Sequence, residues 1–167
     1  TDLGQKLVVA VTKAKHQEDY APEDMVKIVD ELLKPHIDVP FASYKILGKH
    51  LKKTSKQERK HFIGAMEAEL KHTYSSALAQ YDDQSIRYET VKQVSSEKMV
   101  AVKTTLLSPN SNNIDMTFKL RKNRKTNEWK AYDLVVEGIS LVDSKRAELA
   151  KPLRDKGVLF VTQLIAE

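Results

Sequence analysis

Residues 128–146 read EWKAYDLVVEGISLVDSKR, and a change of period inside them decides how the fold is assembled. Side chains alternate along an extended chain, so Trp129, Ala131, Asp133 and Val135 fall on one side, and Tyr132, Leu134 and Val136 on the other. Gly138 admits backbone angles that larger residues resist. Ser140 stands where a helix N-cap is wanted, just before a segment of helical character that starts at Leu141. The stretch therefore predicts a strand, Glu128–Glu137, that hands over to a helix through Glu137-Gly138.

Upstream of it the same two-residue period recurs. Candidate strands are Ser85–Val91, Lys98–Leu107 and Ile114–Lys122, with Val100, Val102, Thr104 and Leu106 on one face and Ile114, Met116, Phe118 and Leu120 on another. Residues 109–113 (PNSNN) and 123–127 (NRKTN) supply the turn formers between them. Strands joined by short links favour an antiparallel meander, here of four strands.

Before the strands the period is helical. Leu3, Leu7, Val11 and Ala14 are spaced for one helix. Pro22 suits the first position of a second, whose stripe is Met25, Ile28, Val29, Leu32 and Leu33, ended by Pro35 and Pro40. A short helix with Phe41, Tyr44, Leu47 and Leu51 inward follows. The longest runs from about Lys56 to Gln80. Ser55 and Glu58 have capping-box spacing, and Phe62, Met66, Leu70, Tyr74 (or Thr73), Ala77 and Tyr81 form its seam, with Asp82-Asp83 as the stop. It would span roughly 37 Å, enough to cross a small sheet. After the sheet come Leu141 to about Lys151 and Gly157 to Ile165, separated by Pro152, which kinks or ends a helix. Helices grouped before and after a sheet make this an α+β fold.

Composition narrows the function classes. The 167 residues are expected to form one domain, 1–167, with a real core. No segment approaches the ~18 consecutive apolar residues of a membrane span. With no cysteine there are no disulfides, thiolate nucleophiles or thiolate metal ligands. The formal charge of +5 suits anionic partners without choosing among them. The chain starts at Thr1, which reads as a processed or trimmed form from which an export signal can have been removed.

Catalytic patterns are missing: no G-x-S-x-G, P-loop or G-x-G-x-x-G occurs. His61 and His72 share a helical face but would lie roughly 16 Å apart, too far for one metal. His16, His36 and His50 lack neighbours at zinc spacing. Asp133, within an apolar strand, reads as a general base, a polar-face residue or a hydrogen-bonded buried carboxylate. The basic runs Lys45–Lys60 and Lys119–Lys125 lack the interleaved exposed aromatics of nucleic-acid binders. They read as solvated surface or as docking surface for anionic lipid or acidic protein. What stands out is a surplus of apolar lining on helices and sheet. If a curved sheet keeps them from closing, an apolar cleft remains, and leaving it empty costs of order 24 cal/mol per Å³.

The letters add a likeness. Trp129, Tyr132-Asp133 and Glu137-Gly138-Ile139-Ser140 resemble the W-x-x-Y-D-x-x-x-E-G-[IV]-S signature of the MlaC family, the periplasmic phospholipid shuttles of the maintenance-of-lipid-asymmetry pathway of Gram-negative bacteria. Met25–Val39 and Ile46–Tyr81 are similar to the family too. The likeness departs at Gly157–Val161, where members often carry Gly-Ile-Asp-Gly-Leu, and at Pro152.

The resemblance implies an NTF2-like fold, with a curved four-stranded antiparallel sheet and several helices around a lipid cleft. It implies a monomeric periplasmic carrier with no cofactor, no metal, no catalytic residues and no nucleic-acid partner. Its cargo is phospholipid, and its partners are an outer-membrane MlaA–porin complex and the MlaD ring of the inner-membrane MlaFEDB transporter. On this chain the expected walls are Phe62, Met66, Leu70 and Tyr74 on one side. The other is Val102, Thr104, Leu106, Met116, Phe118, Tyr132, Leu134 and Val136. Lys49 and Arg146 are candidates for headgroup or partner contact. The alternative is an NTF2-like small-molecule binder or enzyme with an apolar pocket.

Overall fold

Helices come first in the computed structural model, which describes residues 2–80, 85–89, 98–109 and 112–167. The order is α1 (Asp2–Lys15), α2 (Pro22–Ile28), α3 (Val39–Leu47), α4 (Lys56–Ala79), β1 (Ser85–Tyr88), β2 (Met99–Leu107), β3 (Ile114–Lys122), β4 (Trp129–Val136), β5 (Ile139–Ser140) and α5 (Leu141–Ala166). Expectations that fell on Tyr81, Asp82-Asp83, Val91 and Asn110-Ser111 lie outside the described residues.

α4 has the capping box read from its sequence. Ser55 Oγ accepts from the Glu58 N–H at 3.1 Å, and Glu58 Oε2 accepts from the Ser55 N–H at 2.7 Å. α2 does not simply stop at Pro35. It loosens into a π-turn at Val29–Leu33 and a 3-10 turn at Lys34–His36, because Pro35 has no N–H to donate and its ring crowds the carbonyl four residues back. The face expected on α3 is met at Leu47 and, just beyond the helix, at Leu51, and is displaced elsewhere. Val39, Ala42, Ser43, Ile46 and Leu47 are buried, whereas Tyr44 faces outward. Asp38 starts this helix by accepting from the Phe41 N–H at 3.1 Å.

The sheet is antiparallel in sequence order β1-β2-β3-β4-β5. It has five strands instead of four, because Glu137-Gly138 does more than lead into a helix. Glu137 (φ 49°) and Gly138 (φ 80°) are the two central residues of a tight hairpin that pairs Val135 with Ser140 and Val136 with Ile139. Positive φ at both centres belongs to the type I′ turn. Glu137 is held there by β3, accepting from the Asp115 N–H at 2.7 Å and donating its own N–H to the Asp115 carbonyl at 2.9 Å.

α5 also departs from expectation. Pro152 lies inside it, and the break comes at Gly157, with φ 82° and ψ 176°. That backbone region is essentially reserved for glycine. Beyond it Val161 returns to the core, fully buried. The core is helical: Val39, Ala42, Ile46, Leu47, Phe62, Met66, Val142, Leu149, Leu153 and Val161 form one cluster.

Candidate functional site

The strand register assembles an apolar surface row by row. Val102 lies opposite Phe118, which lies opposite Leu134; Thr104 lies opposite Met116, which lies opposite Val136; Leu106 pairs with Ile114 and, across β1, with Ile86. Directly opposed residues share a face, so seven of the eight residues expected on the sheet wall stand together. All but Thr104 remain half-buried. Thr104 is buried and donates its hydroxyl to the Met116 carbonyl at 2.9 Å, which keeps that polar group inside the sheet's own ladder.

Tyr132 is the eighth, and it faces different neighbours. A bulge between Lys119 and Leu120 brings Ala131 opposite Leu120 and leaves Tyr132 as the extra residue. Its ring meets Phe41 edge-on, centroids 5.1 Å apart, and its hydroxyl lies 4.0 Å from the Met99 sulfur. Lys45 sits over both rings and Arg121 over Phe41, while Arg121 also pairs with Asp38. Among the described strand residues Tyr132 packs against the helical core, and the Val102–Phe118–Leu134 row does not.

The helical side divides likewise. Phe62 and Met66 lie inside the helical core. Leu70, which packs against that core, and Tyr74 border a hollow of about 10 Å³ with Val29, Ile37 and Val39, roughly the room one water needs. Two ion pairs frame it, Lys34 with Glu67 at 2.5 Å and Lys71 with Asp30. Burial pushes the Tyr74 phenol above its ordinary value, and the charge of Asp133 pushes the same way. α1 reaches the sheet as well. A Cβ on Gly4 would fall 1.8 Å from the Tyr88 hydroxyl, so this glycine lets the helix approach a residue opposite Thr104. That contact was not foreseen; the alternation of Ile86 with Tyr88 was the available signal.

Asp133 is a hydrogen-bonded buried carboxylate. It accepts from the Ser140 hydroxyl at 2.5 Å, the Leu134 N–H at 2.8 Å and the Val142 N–H at 3.1 Å. Ser140 in turn caps α5, accepting from the Asp143 N–H at 3.0 Å. Arg146 is ion-paired with Asp143, and its Cδ lies 3.5 Å from where a Cβ on Gly48 would sit. Gly48 is followed in the chain by the exposed Lys49. Among the described residues no group of three or more His, Asp or Glu is placed to hold a metal. No helix there is long and apolar enough to cross a membrane.

Comparison with known proteins fits this geometry. A solved Ralstonia solanacearum phospholipid-binding protein, in complex with a phospholipid, superposes with a TM-score of 0.81 at 20% identity, covering 98% of this chain and 93% of that one. The MlaC binding protein of the intermembrane phospholipid transport system of Haemophilus influenzae is 27% identical over 151 residues, 90% of this chain and 70% of that protein. The family model described as MlaC protein matches residues 1–167. With a family model that spans the whole chain, the chain belongs to the MlaC family.

Proposed function

We propose that this protein is a phospholipid carrier that holds acyl chains against the apolar sheet face. The observation that carries the reading is that face itself. Val102, Leu106, Met116, Phe118, Leu134 and Val136 are aligned by register yet half-exposed and outside the helical core. In this reading Leu70 and Tyr74 would supply the opposing helical side, with Phe62 and Met66 in the core behind it, and Tyr132 would close the end beside Phe41. The hollow at Leu70 and Tyr74 is far below the ~300–1,000 Å³ of ligand pockets, so an acyl chain enters there only as α4 and the π-turn part.

Energetics explain why a carrier is needed. Burial is worth about 0.8 kcal/mol per methylene, so two chains of about sixteen carbons would cost on the order of 25 kcal/mol to expose to water. Between a bilayer and an apolar wall that term nearly cancels, and modest docking energies then decide loading and release. The carrier would work in the periplasm as a monomer, between an outer-membrane MlaA–porin complex and the MlaD ring of the MlaFEDB transporter. Lys49 and Arg146 would meet a headgroup or a partner. The protein performs no catalytic step in this reading, and the direction of transport comes from the transporter's use of ATP. Native mass spectrometry of gently purified protein tests the proposal: co-purifying phospholipid is expected, and its consistent absence after overexpression would overturn it.

A further inference from the structure

Beyond the Gly157 break, α5 is two-faced in a way that the core does not need. Val158, Val161 and Ile165 turn inward, and Val161 is fully buried. Leu159, Phe160 and Leu164 turn outward, 55%, 37% and 43% exposed. Three large apolar side chains thus reach solvent within six consecutive residues, together with the exposed Gln163.

The surroundings are cationic. The ammonium of Lys156 lies 4.4 Å from the centre of the Phe160 ring. Lys151 and Arg154 share one carboxylate, Asp155, and Glu167 is the acid at the end of the segment. The lysine-rich 3-10 turn Gly48–Lys53 packs on the same helix. His50 of that turn is held below its ordinary value, first by burial and then by the charges of Lys49, Lys53 and Arg154. Protruding leucine and phenylalanine flanked by lysine and arginine is the make-up of a helix that lies in a bilayer interface. The apolar tips enter the headgroup–acyl boundary while the cations stay with the phosphates.

We infer that the Lys151–Leu164 end of α5 is a docking surface for an anionic phospholipid bilayer, seating Leu159, Phe160 and Leu164 in the interface with Lys156 and Arg154 on the headgroups. The surface is separate from the apolar sheet face, so the inference stands or falls independently of the carrier reading.

The test is co-flotation of the full chain with vesicles of phosphatidylcholine, with and without 30 mol% phosphatidylglycerol (roughly the charge density at which each cation contributes measurably). Binding is expected only with phosphatidylglycerol and should weaken with added salt. Lys156→Gln should lower the partition coefficient about fivefold. Leu159→Ser with Phe160→Ser should lower it at least about tenfold. Both variants should keep the wild-type melting temperature, and both should keep whatever phospholipid co-purifies with the wild type. Flotation of the variants equal to wild type, no flotation of the wild type, or a wild-type dimer that buries this face would overturn the inference. Vesicle binding by a chain that never co-purifies phospholipid would overturn the carrier reading and leave this one standing.

Discussion

The Ser140 hydroxyl donates to the buried Asp133 carboxylate at 2.5 Å, joining the last long strand to the first turn of the last helix across the Glu137-Gly138 hairpin. Leu134 and Val142 add two backbone N–H groups to the same carboxylate. One side chain thus fixes how the sheet edge meets α5. Asp133→Ala leaves a hydroxyl and two amides without that acceptor and should cost about 3 kcal/mol. For a chain of this size that is a fall of roughly 6–12 °C in Tm. Ser140→Ala should cost less, about 1–2 kcal/mol, as the loss of an N-cap. Thermal melts followed by circular dichroism check both, and equal melts for wild type and Asp133→Ala would remove Asp133 from this role.

Core and wall should separate experimentally. Phe62→Ala removes a fully buried ring and should destabilise by about 3–5 kcal/mol. Phe118→Ser alters a half-exposed residue outside the helical core. It should cost less than half as much while clearly lowering the phospholipid found by native mass spectrometry. If Phe118→Ser leaves lipid occupancy unchanged, the sheet face is not the wall.

Gly157 marks where α5 breaks, at a φ of 82° and ψ of 176°. Gly157→Ala should destabilise by about 1–3 kcal/mol through backbone strain alone, since no neighbour lies within 4 Å of the added Cβ. Urea unfolding would show the shift. A midpoint equal to or above wild type would mean that the segment re-forms without the break.

Alkaline pH should weaken the fold. The Tyr74 phenol is raised above its ordinary 10.0 by burial and by the charge of Asp133. Lys145 is raised above 10.5: burial lowers it, but its hydrogen bonds to Glu69 and Glu148 and their charges outweigh that. A group whose folded value exceeds its unfolded one contributes fully below the unfolded value and loses that contribution as pH rises through the folded one. Stability should therefore hold up to about pH 9 and decline above pH 10, and Tyr74→Phe should make the decline shallower. An unaltered decline in Tyr74→Phe would clear Tyr74 of any part in it.

What the sequence disclosed depended on how many signals agreed. α4 was legible because the Ser55–Glu58 box and the Phe62–Met66–Leu70 seam indicate the same start and face. β2, β3 and β4 were legible within a residue at each end because alternation runs for eight or nine residues. β5 is two residues long, too short to show any period. The β4 bulge leaves no trace in composition, so the departure of Tyr132 from its row could not be read. α3 was read in part: Leu47 is buried and Leu51 packs on the core as expected, but Tyr44 faces outward and the small Ala42 and Ser43 take the inner face. At α5 proline was the louder signal, but the backbone breaks where only glycine is at ease. Which strand residues share a face was largely readable, since opposed strands inherit each other's faces. Burial was not, because it depends on which helices come to rest on which face.

Thr104 has a consequence of its own. It is the polar residue of the Val102–Val136 rows on β2, β3 and β4, and its hydroxyl proton is already committed to the Met116 carbonyl. Across β2, β3 and β4 that face has no free hydroxyl to fix the position of a chain lying on it. On such a wall acyl chains of different length or unsaturation could slip past one another in register at little cost. Along β2–β4 discrimination among cargoes would then rest on girth and reach, and any polar hold would fall to Tyr88 at the β1 end of the row.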